Sequence, residues 1–191
     1  MIGRGVILAV VVSSPAYADG LFVESENLFE EGTVLCSNFR ERTRSCRTIT
    51  TITALEDGVR SSRSRRFVAM PDENLLLETE GTARVDGTKV CAMGKIADPR
   101  LTPDHHAYAE VLIAIYERRR DRKITRGVCH EYRRCGTGWE VYITYDDDPV
   151  PRLVSFTTVF GPDDPGRLGL SLRYREFGVK ERAVSECSPY G

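Results

Sequence analysis

Long apolar runs are almost missing from this sequence. The longest near the start, Val6 to Val12, is too short for a bilayer core of ~30 Å, which takes ~20 residues. Nothing later is more apolar, so the rest of the chain reads as soluble. A basic excess is missing too. The 27 basic and 28 acidic residues give a formal charge of −1, against the strongly basic face of a nucleic-acid binder. Lysine is scarce, with four residues beside 23 arginines. There are three histidines and one tryptophan. No Gly-x-Ser-x-Gly, phosphate loop or cofactor-binding motif occurs. Asp146 to Asp148 lack the spaced ligands and closing Glu of a calcium loop. That run and Asp163-Asp164 lie beside prolines, where Asp serves turns.

What is present begins with the N-terminus, MIGRGVILAVVVSSPAYA. Arg4 gives a positive start, Val6 to Val12 a short apolar core, and Ala16-Tyr17-Ala18 a small-residue cleavage site. Residues 1–18 are therefore expected to be a signal peptide. The mature chain would start at Asp19 and hold 173 residues (191 − 18) in the periplasm or outside the cell. That length suits one ordinary domain or two small ones.

The fold class expected is α+β and mainly β. Residues 19–97 form a first β-rich unit, and 98–191 a helix with a second. Leu28 and Phe29 are candidate anchors in an acidic lead-in ending at Gly32. Thr-, Ile- and Val-rich runs flank Asp57-Gly58, and a second pair of runs flanks Asp86-Gly87; both read as antiparallel hairpins. An amphipathic helix is predicted over about 103–121. Thr102 would cap it, Pro103 would open it, and Tyr108, Val111, Leu112, Ile115 and Tyr116 would make its core face. Strands follow in WEVYITYDDDP, RLVSFTTVFGPDDPG and RLGLSLRYRE. In the last of these, Leu168, Leu170, Leu172 and Tyr174 share one side. Parallels between FVAMPDE and TVFGPDD, and between two sets of three cysteines, point to an internal duplication.

An even number of cysteines in an exported chain favours disulfides. Cys36, Cys46, Cys91, Cys129, Cys135 and Cys187 make six, with 15 possible pairings. The duplication suggests Cys36 with Cys46, Cys129 with Cys135, and Cys91 with Cys187. A competing pattern joins the first cysteine of each half to its third. Cys129-His130 could suggest an activated thiol. On a strand, however, consecutive side chains point to opposite faces, and a nucleophile needs its base within about 3 Å.

No catalytic set emerges. Candidate metal ligands are His106 and Glu110, four apart on the predicted helix, with His130 from a neighbouring strand. They define one alternative, an exported metal-dependent enzyme. A structural envelope component is another. The stronger signal is arginine, whose planar fork suits phosphate and carboxylate groups. Eight arginines lie between Arg40 and Arg66, against Glu41, Glu56 and Asp57. Eight basic residues lie between Arg118 and Arg134. The function expected is thus a binding module without catalysis or cofactor. It would recognise an anionic envelope polymer or an acidic protein through Arg63, Arg65, Arg66, Arg118 and Arg119. Trp139 and Tyr142 could add a stacking surface.

Overall fold

The computed structural model describes residues 28–70, 74–94, 99–103, 107–162 and 168–171. The signal-like residues 1–18, together with His105, His106 and Cys187, lie outside them. The described chain is mainly β, with one α-helix. Eight strands make a closed antiparallel barrel: β1 (Val34–Ser37), β3 (Thr48–Glu56), β4 (Val59–Ala69), β5 (Asn74–Asp86), β6 (Lys89–Met93), β8 (Cys129–Cys135), β9 (Gly138–Tyr145) and β10 (Asp148–Phe160). Each pairs with the next in this order, and β10 returns to β1. Strands from both sides of residue 97 build this one barrel.

Local sequence explains the hairpins. Asp57 and Gly58 both take the left-handed conformation (φ 50° and 72°) between paired Glu56 and Val59. That is the two-residue turn whose twist matches flanking strands. The second turn falls one residue later than predicted. Asp86 is still paired with Lys89, so the loop is Gly87-Thr88. Gly87 takes the positive φ of 55° there, which a side chain would resist.

The strand period of two sorts β4 and β5 into inner and outer rows. Arg60 lies opposite Ala83, Ser62 opposite Gly81, Ser64 opposite Thr79 and Arg66 opposite Leu77 on the inner row. Arg63 opposite Glu80 and Arg65 opposite Glu78 are on the outer row. These outer charges stand where a lipid-facing barrel would carry an apolar band. No helix among the described residues is long and apolar enough to cross a membrane.

One end of the interior is apolar. Leu28 and Phe29 form a short turn before β1 and are fully buried with Leu35, Ile52, Val90, Tyr132, Trp139 and Val141. Phe29 meets the edge of Tyr132, with ring centroids 5.3 Å apart. The anchoring role expected for Leu28 and Phe29 is what the structure shows.

The helix differs from expectation. Thr102 ends a short strand, β7 (Arg100–Thr102), which pairs with Leu76 to Glu78 of β5. That pairing removes Thr102 as a cap. The helix, α1 (Ala109–Thr125), therefore starts later, and its N-cap position, Tyr108, makes no side-chain cap bond. It also runs beyond 121, because no residue breaks it before Gly127. Gly127 (φ 62°) donates to the Ile124 carbonyl and Val128 to the Lys123 carbonyl, the paired bonds of a glycine-terminated helix. The core face is Ala109, Leu112, Ile113 and Tyr116, packed with Leu75, Leu77 and Leu101. Tyr108, Val111 and Ile115, predicted to face the core, are exposed. The strand expected over 167–176 is described only to Ser171. It contributes β11 (Gly169–Leu170), parallel to β2 (Ser45–Cys46).

The cysteines correct the expected pairing. Cys36 is joined to Cys46, as expected from the duplication. Cys129, however, is joined to Cys91 and not to Cys135, and Cys91 is therefore not joined to Cys187. The reason is register: Cys91 and Cys129 are directly opposed where β6 meets β8. Cys135 is disulfide-bonded as well. The matched cysteines of the two sequence halves, Cys36 and Cys129, thus pair differently: one locally, the other across strands. The β6–β8 seam has only Lys89–Glu131, Val90–His130 and Cys91–Cys129 in register. The disulfide staples this short seam and closes a separation of 38 residues, worth about 4 kcal/mol in the chain-entropy account.

Two outcomes check this architecture. Non-reducing peptide mapping should yield Cys36–Cys46 and Cys91–Cys129, leaving Cys135 with Cys187 by elimination; a Cys129–Cys135 peptide would contradict the barrel register. Phe29→Ala should cost about 3–5 kcal/mol in urea denaturation, because it empties the apolar end of the barrel.

Candidate functional site

The other part of the barrel interior is not filled. A cavity of about 280 Å³ is lined by the inner rows of β4 and β5, by Val90 and Ala92 of β6, by His130 of β8, and by Tyr116 and Arg120 of α1. An eight-stranded barrel is either filled by its side chains or holds one small ligand. This one is filled by side chains at one end and leaves a cavity at the other.

Three arginines reach the cavity. Arg60 sits at its apolar floor, with its guanidinium carbon 5.1 Å from the Phe29 ring centroid. Its Nε and Nη1 are buried and have no hydrogen-bond partner. A buried donor without a partner costs roughly 1–3 kcal/mol, more when charged. Arg66, six residues along the same strand, stacks 5.2 Å from the Tyr116 ring centroid. Arg120 enters from the helix, 3.5 Å from the Gly94 carbonyl, and burial lowers its pKa from the usual arginine value. Between the arginines lie the hydroxyls of Ser62, Ser64 and Thr79. Ser64 also shares a 2.8 Å hydrogen bond with Thr50.

Among the described residues that line the cavity, none but Glu80 carries a carboxylate. Glu80 borders the cavity, but its carboxylate accepts from Arg63 on the outer row, at 2.7 and 3.0 Å. His130 adds no charge at neutral pH. Burial lowers its pKa to about 4, helped by the positive charges of Arg60 and Lys123. The cavity is therefore cationic, hydroxyl-lined along one wall and apolar at its floor. The one pair that suggested an activated thiol is split: Cys129 is bonded to Cys91, while His130 points into the barrel.

The five arginines expected to bind anions are divided by the structure. Arg66 faces the cavity. Arg63 is ion-paired with Glu80 outside, and Arg65 shares that outer row. Arg118 and Arg119 are on the exposed side of α1. Sequence reasoning did not single out Arg60 or Arg120, and it named His130 only as a candidate metal ligand. The signal for Arg60 was available in RSSRSRR, where a period of two separates Arg60, Ser62, Ser64 and Arg66 from the intervening residues. Nothing in the sequence indicated that the helix would turn Arg120 toward them.

Trp139 is buried in the apolar core, under the Arg134 guanidinium at 5.3 Å. Tyr142 donates to Glu140 at 2.8 Å and lies under Arg133 at 4.5 Å. Of the weak metal candidates, His106 is outside the described residues, Glu110 is exposed on the first turn of α1, and His130 lines the cavity. Among the described residues, no group of three or more His, Cys, Asp or Glu could hold a metal ion.

Comparison with known proteins adds no relative: no family model, curated protein or solved structure matches the chain.

His130 makes a pH prediction. Its folded pKa of about 4 lies below its unfolded value of about 6.5, so the unfolded chain binds the extra proton between them. The contribution is full above pH ~6.5, falls as the pH drops and is gone below pH ~4. Urea denaturation at pH 5 should show about 2 kcal/mol less stability from this group than at pH 7. The His130→Gln variant should lack that component.

Proposed function

We propose that this chain is an exported binding protein that takes one small anionic molecule into its barrel. The observation that carries the reading is Arg60, a half-buried guanidinium on the cavity lining whose buried Nε and Nη1 have no hydrogen-bond partner among the described residues. A stable fold gains nothing from such a group alone. Replacing buried charge by apolar side chains is often neutral or stabilising. An anion in the cavity would supply the missing acceptor, and Arg66 and Arg120 would add charge around it.

The cavity volume is near the lower end of small-molecule pockets. Ser62, Ser64 and Thr79 would receive the polar part of the ligand. Leu77, Val90 and Ala83 would meet its apolar part. The anion-recognition idea is thereby moved from the outer surface to the lumen. Export rests on the signal-like N-terminus and on the disulfides, which form and persist in oxidising compartments.

The test is thermal shift of the oxidised protein against small carboxylates and phosphate monoesters. A ligand at 100 times its Kd should stabilise by about 2.7 kcal/mol and raise Tm by several degrees. The Arg60→Met variant should keep its unliganded stability but lose that shift. If no compound in the panel raises Tm, or if the variant responds like the parent, the reading is wrong.

A further inference from the structure

We infer that the outer face of α1 docks on an anionic lipid surface. The inference stands on the helix alone and does not depend on what the barrel holds. At 100° per residue, the sequence of α1 divides into three faces. Ala109, Leu112, Ile113 and Tyr116 turn to the barrel, and Arg120 shares that side at the cavity. Glu110, Glu117 and Asp121, the acidic residues of the helix, fall within an arc of about 40° on one flank. The remaining arc holds Val111 and Ile115, then Arg118, Arg119 and Arg122, and Tyr108 leads into it. No acidic residue interrupts this face.

The apolar members are the unusual ones. Tyr108 is 58% exposed, Val111 55% and Ile115 43%. The barrel-facing side already has its own apolar residues, so Val111 and Ile115 are surplus to the fold. They occupy the N-terminal half of the face, and the arginines occupy the C-terminal half. Arg126 continues the same arc but is bound to Asp147 at 2.8 Å, which leaves the charge at Arg118, Arg119 and Arg122.

A bilayer surface fits both halves. A helix lying in the interface sinks apolar side chains below the headgroups and holds arginines at the phosphates, with their stems along the apolar boundary. The acidic flank would stay toward water. An acidic protein would match the arginines but would give Val111 and Ile115 no counterpart. Lipid with negative headgroups is therefore the occupant that uses the whole face.

Vesicle flotation tests this on the oxidised protein as recovered from an exporting host. The probes are phosphatidylcholine vesicles with and without one third phosphatidylglycerol. The protein should float with the anionic vesicles, should not float with pure phosphatidylcholine, and should dissociate as salt rises through the screening range. The triple variant Arg118→Glu, Arg119→Glu, Arg122→Glu should lose roughly 100-fold in affinity. The double variant Val111→Ser, Ile115→Ser should also bind more weakly while keeping its salt dependence. All five positions are exposed, so melting temperatures should stay near the parent value. Arg63→Ala, on the barrel wall, should bind like the parent. No flotation with anionic vesicles would overturn the inference, as would flotation that survives the triple change. Loss in the arginine variant with no loss in the Val111/Ile115 variant would also overturn it, pointing to a purely electrostatic acidic partner.

Discussion

Closure of the sheet between β6 and β8 is the constraint on which the rest depends. β4 and β5 pair from Val59–Arg84 to Ala69–Asn74, so that side of the barrel is zipped along a long ladder. β6 and β8 meet through three residue pairs, and one of these is also the Cys91–Cys129 disulfide. Without that seam the eight strands would be an open sheet with two edges, β6 and β8, each carrying unpaired backbone groups. With it, every inward side chain is committed to a shared interior. β7 and α1 cover β5 beyond the end of the short β6.

Commitment to an interior makes the inner rows informative. At the Phe29 end, apolar residues fill the space and supply the burial that holds the barrel together. Further along, the inner row of β4 reads Arg, Ser, Ser, Arg, and apolar filling stops. Charged side chains seldom face a barrel interior without partners. Here they converge with Arg120 from the helix, while Glu80, the carboxylate on the described cavity lining, is held outside by Arg63. The position of Glu80 matters as much as that of the arginines, because an inward carboxylate would have neutralised the cavity.

The outer arginines behave differently. Arg126 lies over Tyr145 and binds Asp147, and Arg133 lies over Tyr142 and binds Glu131. Their planar groups combine stacking with ion pairing, which the compact ammonium of lysine does less well. Exposed pairs of this kind add little stability each, usually under about 1 kcal/mol. Their effect is to neutralise much of the wall, so the charge left on α1 is more sharply localised.

The sequence by itself determined what depends on near neighbours. Alternating Thr, Ile and Val runs with Asp57-Gly58 between them specify a hairpin, because turn and strand geometry are set within a few residues. Leu28 and Phe29 were legible as anchors because they are an apolar pair set among Glu24, Glu26, Glu30 and Glu31. Six cysteines implied disulfides, and the duplication suggested Cys36–Cys46 beside a competing pattern. Tertiary structure decided what depends on register and closure. Cys129 meets Cys91 because β6 and β8 align there, and the sequence distance to Cys135 has no bearing on that. Thr102 became a strand residue because β5 had a free edge beside it. One arginine-rich stretch became two opposite surfaces because the pleat sends Arg60 and Arg66 inward and Arg63 and Arg65 outward. Helical periodicity showed apolar residues around much of the first turns of α1. Only the barrel, by offering one surface to pack on, decided which of them are covered and which are left to water.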